Sequence, residues 1–488
     1  MLDYLDNLLN KITMYNLVNW VLRILTTLAF IFAFTGHLRF SVWQLLLSLV
    51  ILATVTYLSN KLFARIYGIA ANTESYIITG LILFFIFSPP KDLEQAGIIA
   101  LTGLIAMASK YVLAFRGRHI FNPAAIAAVI VGFSGLEYAS WWIANNVMWP
   151  FVLIGGILIL RKIRRFQMFF VYFVIATLAV LVAEQYPLQN VLYTVLVSWP
   201  FLFLGSIMLT EPSTTPPTRR TQLIYAAMIG LLMMPGLSLG RIFMTPELAL
   251  VIGNVFSFLV GIRQRPVLRL IKRNKLSAEI YEFVFEPIRK FKFKAGQYLE
   301  ITLPVKNVDE RGNRRNFTIA SSPTDKEVRI GVKFYEPMSR FKSTLKNLEP
   351  GQTIGISNVA GDFTLPADAG KKLAFIAGGI GITPFRSMAE YLIDTEQNRD
   401  TVLFYSASGP DEIVFDMTFK KAKKHGLEPV YISGGRITSE LINKHTPDFK
   451  DRLFYISGPV AMVNGMKKLL KNMGVNGRNI KTDYFVGY

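Results

Sequence analysis

Cysteine is absent from the 488-residue sequence, and histidine occurs only four times, at His37, His119, His425 and His445. Without cysteine the chain cannot itself hold an iron–sulfur cluster, a disulfide or a thiolate metal site. Any electron carrier must therefore be organic or supplied by a partner. We accordingly predict no metal site in this chain.

Acidic residues are few compared with basic ones. The sequence has 33 Asp and Glu against 53 Lys and Arg, a formal net charge of +20. In the first half the basic residues gather in loops, as membrane insertion requires, so the excess does not indicate a nucleic-acid partner. No Asp, Glu or Lys lies in the middle of an apolar run, whereas ion pumps generally place ionisable groups within the bilayer. The sequence therefore gives little support for a proton relay.

Apolar residues are concentrated in one half of the chain. Residues 15–262 form a succession of apolar runs, and residues 263–488 have the mixed composition of a water-soluble protein. A helix needs roughly 20 apolar residues to cross a bilayer, and several of the runs are shorter, so packing or re-entry must complete them. Ten runs are candidate spans: Tyr15–Thr35, Phe40–Leu58, Ser75–Phe87, Leu93–Phe115, Phe121–Phe133, Ala144–Leu160, Phe166–Val182, Val191–Leu209, Leu223–Met234 and Leu248–Ile262.

Basic residues in the loops predict the orientation of these spans. One side carries Lys11, Lys61, Arg65, Lys110, Arg116, Arg118, Arg161, Lys162, Arg164, Arg165, Arg219 and Arg220. The other side carries only Arg39, Lys91 and Arg241. By the positive-inside rule both termini face the cytoplasm, and we predict a multi-pass protein of the inner (cytoplasmic) membrane. Residues 1–14 lack a secretory signal and are predicted to form an amphipathic helix on the membrane surface.

Proline interrupts corresponding runs in the two halves of this region. The third run ends at Ser88-Pro89-Pro90 and the eighth at Thr210-Glu211-Pro212, while the fifth begins at Asn122-Pro123 and the tenth carries Asn254. Such segments predict broken helices around a central site, in two inverted repeats of five. The alternative is that these residues cap helices at the surface. The candidate membrane-domain site comprises Arg118, His119, Asn122, Pro123, Thr210, Glu211, Pro212 and Asn254.

Two segments of this region, Ser109–Ala125 and Gly205–Thr218, resemble the family of the sodium-translocating NADH:quinone reductase B subunit and the Rnf complex D subunit. The resemblance covers most of residues 15–262 and implies ten helices, a urea-transporter-like fold and a flavin within the membrane domain. The family attaches FMN covalently to a threonine, where this sequence has Glu137. A carboxylate cannot form that phosphoester, which leaves a non-covalent FMN or riboflavin, or a quinone, open. Haem is not expected, because His37 and His119 are predicted on opposite sides.

Short alternating segments in residues 266–368, such as Ile280–Glu286, predict the strands of a small β-barrel. Among them, Arg315-Asn316-Phe317-Thr318 resembles a segment of the ferredoxin–NADP reductase superfamily. Arg315 and Phe317 share a face of the strand and can address one ligand. The resemblance implies that Arg315 holds the FAD pyrophosphate, Phe317 flanks the flavin ring and Thr318 hydrogen-bonds near its hydride-accepting nitrogen. The other FAD contacts that it implies are Gly296, Gln297, Tyr298, Asn316, Lys342, Ser343 and Thr344.

Residues 369–488 predict an α/β nucleotide-binding domain. The strand Leu373–Ala377 runs into a glycine-rich turn that allows close approach of a pyrophosphate. The turn ends in Thr-Pro, the form found in the same superfamily, which implies NAD(P)H contacts from Gly378, Gly379, Gly381, Thr383, Pro384, Gly458 and Pro459. The resemblance also implies that Ser457 stands at the nicotinamide, where the family often has cysteine, and that a terminal aromatic region with Tyr488 covers the flavin. The alternative is that these terminal aromatics pack in the core. The acidic loop at Asp411 and Glu412 favours NADH over NADPH.

Together these features predict a multi-domain membrane flavoprotein. Its parts are an interfacial helix (1–14), a transmembrane domain (15–262), a β-barrel FAD domain (266–368) and an α/β NAD(P) domain (369–488). The predicted function is NAD(P)H-dependent electron transfer through FAD, with Thr318 and Ser457 as candidate catalytic residues, to a flavin or quinone in the membrane domain. Whether electrons cross the membrane stays open. The alternatives are a redox-regulated transporter or channel and, less favoured, a haem-dependent metal reductase.

Overall fold

The computed structural model describes residues 12–67, 73–115, 118–184, 187–261, 266–305 and 312–485, together with Leu5, Leu8, Leu9 and Asp309. The chain divides into two compact units, residues 1–264 and 265–488. Most of the predicted interfacial helix of residues 1–14 lies outside the described residues, and so does Tyr488.

The first unit is built from apolar helices. In chain order they are α1 Met14–Phe34, α2 Val42–Ile66, α3 Thr73–Ile86, α4 Leu93–Val112, α5 Pro123–Phe133, α6 Trp149–Ile163, α7 Phe166–Glu184, α8 Leu188–Tyr193, α9 Phe201–Phe203, α10 Arg219–Leu232 and α11 Pro246–Val260. π-Helical turns extend α8 over Thr194–Ser198 and α9 over Leu204–Met208. Two short hairpins join helices: β1 Ala114–Phe115 with β2 Arg118–His119, and β3 Ser238–Leu239 with β4 Ile242–Phe243.

Four of the described helices, α1, α2, α4 and α7, are long and apolar enough to cross a membrane. The extended α8 and α9 would make a fifth span if counted as one, bent by 62°. The bend falls at Trp199-Pro200, where proline cannot donate a helical hydrogen bond. Helices α3, α5 and α11 are apolar but shorter. Because the 14 residues of α3 extend only about 21 Å, ten crossings remain a prediction.

Caps and prolines fix where several of these helices begin. The Asn122 side chain caps α5 by accepting from the Ala125 amide, and Thr245 caps α11 in the same way. Both helices carry proline in their first turn, where its missing N–H costs nothing. The predicted sixth span starts only at Trp149, because the Asn145 side chain accepts from two following amides and holds a turn.

The first part of the second unit is a six-stranded antiparallel sheet. Its strands are β5 Val267–Lys275, β6 Ile280–Pro287, β7 Tyr298–Thr302, β8 Arg314–Thr318, β9 Val328–Lys333 and β10 Thr353–Ala360. They lie in the order β8-β7-β10-β5-β6-β9, and helix α12, Arg340–Lys346, follows β9. The edge strands approach each other where the Ala320 amide donates to the Arg329 carbonyl at 2.7 Å. Closure into a barrel stays a prediction.

The second part of this unit is a parallel sheet of five strands, β11 Leu373–Gly378, β12 Thr401–Ala407, β13 Leu427–Ser433, β14 Leu453–Pro459 and β15 Ile480–Phe485. Helices α13 Thr383–Asp394, α14 Asp416–Ala422, α15 Ser439–His445 and α16 Val460–Asn472 connect them. The order is β13-β12-β11-β14-β15, so the winding direction reverses between β11 and β14. In sheets of this kind ligands bind beyond the carboxyl ends of the strands at that reversal.

Candidate functional site

Two segments that were predicted to bind the nucleotide meet at this reversal. Ala377 near the end of β11 is in register with Ser457 of β14. A turn, Gly379–Ile382, then crosses over the end of β14. A Cβ atom on Gly381 would lie 2.4 Å from the Ser457 carbonyl oxygen and 2.7 Å from the Gly458 Cα. Only glycine therefore allows the turn and the strand end to approach this closely.

Gly379 and Ser457 lie beside the point where the turn crosses the end of β14. Gly379 has a φ of +53°, in the left-handed region, and a Cβ there would meet no other atom within 4 Å. The Ser457 hydroxyl is fully buried and has no hydrogen-bond partner among the described residues. A buried hydroxyl of this kind is expected to find a partner, and a ligand can supply it.

Thr383 and Pro384, also predicted to contact the nucleotide, are buried in protein contacts. The Thr383 hydroxyl donates to the Ile380 carbonyl at 3.1 Å. A Cβ on Gly331 of β9 would lie 2.7 Å from the Thr383 methyl group, so this threonine packs on the antiparallel sheet. Pro384 lies in the first turn of α13. Thr383 thereby connects the two parts of the unit.

Helix α13 makes further contacts of this kind that the sequence analysis missed. The Arg386 guanidinium donates to the Ala320 carbonyl at 2.5 Å, and the Ser387 hydroxyl donates to the Ser321 carbonyl at 2.6 Å. Arg386 also lies 3.0 Å from Glu390 and 4.9 Å from the ring centre of Phe415. An Arg-Ser pair directly after Thr-Pro-Phe was the available signal. These bonds fix how the antiparallel and parallel sheets of this unit face each other.

Arg315 and Phe317 share one face of β8, as predicted, and both meet Phe341 of α12. The Arg315 side chain is 7% exposed, and its guanidinium carbon lies 5.2 Å from the Phe341 ring centre. Phe317 stacks on the same ring at 6.0 Å. Asn316 is exposed, and Thr318 is buried. The arrangement combines a buried, always-charged guanidinium with two aromatic rings, and it suits a phosphorylated aromatic ligand. Phe341 is a site residue that the sequence analysis did not name.

The Gly296-Gln297-Tyr298 turn is held by close backbone packing. Gly296 has a φ of +91°, and a Cβ there would lie 2.1 Å from the Phe363 carbonyl oxygen. The Gln297 amide donates to the Gly361 carbonyl at 3.0 Å and accepts from the Lys294 amide at 2.9 Å. Tyr298 lies between Thr318 and Ala360 in the sheet. Gln297 thus uses its side-chain groups to shape the turn beside Thr318.

The α12 residues that were predicted to meet FAD phosphates also contact protein groups. Ser339 caps the helix by accepting from the Lys342 amide. The Lys342 ammonium donates to the Lys333 carbonyl at 3.1 Å and lies 4.1 Å from the Tyr335 ring centre. Thr344 donates to the Arg340 carbonyl, and Ser343 is half-buried. Phosphate contacts from these residues remain a prediction.

One of the two carboxylates in the acidic loop that favoured NADH is paired with a lysine. Asp411 is exposed, but the Glu412 carboxylate lies 2.7 Å from the Lys333 ammonium. The hydrogen bond from Lys333 lowers the pKa of Glu412 below its ordinary value, so the carboxylate stays charged at neutral pH. Its charge is balanced by Lys333 across the two parts of the unit. The preference for NADH stays a prediction.

Three of the predicted membrane-domain residues form one hydrogen-bonded cluster in the first unit. The Asn254 side-chain oxygen accepts from the Asn122 amide at 2.7 Å, and the Asn122 side chain donates to Glu211 at 2.8 Å. His119 lies 4.0 Å from Glu211, which also accepts from Ser213 and Thr214. This cluster therefore joins the start of the fifth predicted span, the end of the eighth and the middle of the tenth.

The remaining predicted residues of this group lie beside the cluster. Thr210 is fully buried and donates to the Ser206 carbonyl at 2.8 Å, while Pro212 is half-buried. Pro123 is buried in the first turn of α5. Arg118 belongs to β2, and its side chain lies outside the described residues. Tyr225 of α10, which the sequence analysis missed, accepts from the Asn254 side chain at 3.3 Å.

Asn254→Ala should lower the stability of the first unit by roughly 1–3 kcal/mol, because it leaves the buried Asn122 amide without its acceptor. All six tryptophans lie in the first 264 residues, so tryptophan fluorescence during thermal unfolding reports on this unit alone. Ser257→Ala is the matched control: its hydroxyl is buried on the same helix and has no partner among the described residues. An equal loss in both variants would contradict the bonded role of Asn254.

Comparison with known proteins places two families in the second unit. Residues 267–365 match the oxidoreductase FAD-binding domain family, and residues 375–468 match the oxidoreductase NAD-binding domain family. The FAD-binding and NAD-binding domains that were predicted from the sequence are thereby confirmed. The second unit thus combines an FAD-binding and an NAD-binding domain of the oxidoreductase type.

Individual relatives cover the same half of the chain. A glycine betaine monooxygenase reductase subunit of Pseudomonas aeruginosa is 29% identical over 232 residues, 43% of this chain and 61% of the relative. A flavohemoprotein of Pseudomonas putida is 29% identical over 234 residues, 44% of this chain and 58% of the relative. The chain thus spans about three fifths of the length of these relatives. The FAD/NAD-binding domain of nitric oxide dioxygenase from Vibrio cholerae is 21% identical, with a TM-score of 0.41, and the match covers 45% of this chain and 98% of that one.

Proposed function

We propose that this protein is a membrane-bound oxidoreductase that takes electrons from NAD(P)H through FAD to an acceptor in its membrane domain, a flavin or a quinone. The observation that carries the proposal is the crossing of the glycine turn over the end of β14, where Gly381 and the buried Ser457 hydroxyl meet. The two family matches beside it support FAD and nicotinamide nucleotide as the ligands. The membrane placement rests on the apolar helices of the first unit.

The residues present fit FAD and a nicotinamide nucleotide. FAD, when bound, supplies hydride acceptance and onward electron transfer, which no side chain of this chain can perform. Arg315 would hold phosphate oxygens with its guanidinium fork, and Phe317 and Phe341 would provide aromatic contact. Gly381 keeps the nucleotide turn close to the strand end, and Ser457 offers its hydroxyl there. Through Arg386 and Ser387, helix α13 holds both nucleotide sites in one fixed geometry.

The direct test of the proposal is flavin absorbance in the purified full-length protein. NADH or NADPH should bleach it under anaerobic conditions, and a protein without a bleachable flavin would refute the proposal. Extraction of cofactors with mass spectrometry, from the full chain and from a chain lacking residues 263–488, counts the flavins that each unit holds. A flavin in the shortened chain supports a membrane-domain flavin. If none is found, reduction of an added quinone by NADH supports the quinone.

The membrane-domain acceptor is supported by the polar cluster of the buried Asn122 and Asn254 with the half-buried Glu211, since ionisable groups within membrane domains often mark substrate pathways. The P. aeruginosa relative is by name the reductase subunit of a monooxygenase. A separate protein acceptor would therefore be the outcome if NADH reduces the FAD but neither a membrane flavin nor a quinone is reduced. A redox-regulated transporter would be favoured by solute movement in proteoliposomes without a membrane-domain redox group.

Ser457→Ala should slow flavin bleaching by NAD(P)H about tenfold, the effect of one lost hydrogen bond of roughly 1.4 kcal/mol. The unfolding temperature of the second unit should stay the same or rise slightly, because the hydroxyl has no partner to lose among the described residues. Stopped-flow absorbance measures the rate, and flavin release on heating measures the stability. Ser457→Thr, which keeps a hydroxyl, serves as the comparison. An unchanged rate in the alanine variant would show that the hydroxyl only fills space.

A further inference from the structure

The segment between β6 and β7, residues 288–294, alternates basic and apolar side chains. Its sequence is Ile-Arg-Lys-Phe-Lys-Phe-Lys. All four of its cations are exposed: Arg289, Lys290, Lys292 and Lys294. Ile288 is 50% exposed, and the half-buried Phe291 and Phe293 pack against each other with ring centres 5.9 Å apart. We name this segment the basic loop; its backbone contacts the Gln297 turn through Lys294, but its side chains are not among the predicted nucleotide contacts or the polar cluster.

The ends of the basic loop are fixed to the sheet. The Ile288 amide donates to the Val267 carbonyl at 3.0 Å, and the Lys294 amide donates to the Gln297 side chain at 2.9 Å. Pro287 is in register with Leu268, so the loop leaves the sheet at the end where β5 begins. Glu286, just before the loop, lies 3.6 Å from Arg269. The loop itself has four basic residues and no acidic residue in its sequence.

The connection between the last apolar helix and the antiparallel sheet is short. Helix α11 ends at Val260 and β5 begins at Val267. Seven residue steps extend at most about 25 Å. If α11 lies in a bilayer, the start of β5 and the loop bonded to it are within reach of the membrane surface. Exposed cations interleaved with exposed or half-exposed apolar side chains are the composition of surfaces that bind anionic lipid.

We propose that the basic loop docks on anionic phospholipid headgroups, with its cations on the phosphates and Ile288 at the headgroup boundary. The occupant is the lipid bilayer and not another protein, because the short connection to α11 limits how far the loop can lie from the membrane. The docking orients the FAD- and NAD-binding unit on the surface. The inference rests on the membrane placement in the proposed function but not on the electron acceptor. Each cation near an anionic surface contributes about a fivefold factor to docking.

The test uses the full-length protein in nanodiscs, and the absence of cysteine makes single-cysteine labelling clean. Ile288→Cys carries an environment-sensitive fluorophore, and Lys275→Cys, exposed at the opposite end of β5, is the control position. The discs contain phosphatidylcholine alone or with a third of phosphatidylglycerol. With phosphatidylglycerol we expect a blue-shifted emission at position 288 that lipid-borne quenchers suppress, and no change at position 275.

Replacing all four loop cations with glutamine should abolish the blue shift at position 288. The equilibrium constant for docking should fall by about several hundredfold, which is about fivefold for each cation. The same exchange at four exposed lysines of the NAD-binding part, Lys424, Lys444, Lys450 and Lys471, should leave it intact. An aqueous signal at position 288 in both lipids, or equal loss in the two charge variants, overturns the docking proposal. Incorporation into the discs and flavin bleaching, measured on the same samples, separate this outcome from failure of the membrane placement or of the electron-transfer proposal.

Discussion

Gly381→Ala should slow the reduction of bound FAD by NAD(P)H by about 100-fold or more. The new Cβ would lie 2.4 Å from the Ser457 carbonyl oxygen, an impossible distance, and the neighbouring atoms are backbone. The turn and the end of β14 must move apart, and a displacement of about 1 Å at a reacting site costs roughly that factor. FAD content should stay near the wild-type value, because the FAD-binding part ends before this turn.

Alanine variants of two other glycines test whether the close approach at Gly381 causes the slower reduction. Gly379→Ala meets no atom within 4 Å but places alanine at a φ of +53°, which costs about 1–2 kcal/mol. Its rate of FAD reduction should fall roughly tenfold, which is clearly less than the fall expected for Gly381→Ala. Gly465→Ala, in helix α16 with open space around it, should have the wild-type rate. Anaerobic stopped-flow absorbance at saturating nucleotide gives the three rates. Normal reduction by the Gly381 variant would place the nucleotide elsewhere.

Arg315→Ala should weaken FAD binding by about 100-fold or more, so that the protein is purified largely without flavin. A charge-assisted hydrogen bond contributes about 1.5–3 kcal/mol, and a guanidinium can donate two to a phosphate. The variant also loses the contact with the Phe341 ring and the hydrogen bond to the Arg314 carbonyl at 2.7 Å. Titration of the flavin-free protein with FAD, followed by quenching of flavin fluorescence, measures the dissociation constant.

The controls for this variant separate charge, shape and folding. Arg315→Lys keeps the charge but not the planar fork, so its affinity should lie between the alanine variant and the wild type. Arg269→Ala removes an exposed arginine of the same sheet that pairs with Glu286, and FAD content should not change. Unfolding of the alanine variant at saturating FAD tests whether the fold persists. Full flavin content after Arg315→Ala would refute the phosphate role.

Residue periodicity and local motifs located many of the site residues from the sequence. Because alternate residues of a strand must point to opposite faces, Arg315 and Phe317 could be placed together from spacing alone, and they share Phe341 as a neighbour. Glycines between a strand and a helix indicated the nucleotide turn for a similar reason, since the backbone must come close there. Polar residues next to proline in apolar runs marked Asn122 and Glu211, which hydrogen-bond 89 positions apart in the chain.

The sequence by itself determined the chemical class of the second unit and the apolar character of the first, because composition and short motifs are properties of neighbouring residues. Only the tertiary structure decided what each polar group contacts. It joined Asn254 to the Asn122 amide, turned the side chains of Gln297 and Thr383 toward protein partners, and brought Arg386 to the Ala320 carbonyl. These partners lie in distant segments, and no local pattern specifies which of several nearby acceptors a buried donor will meet.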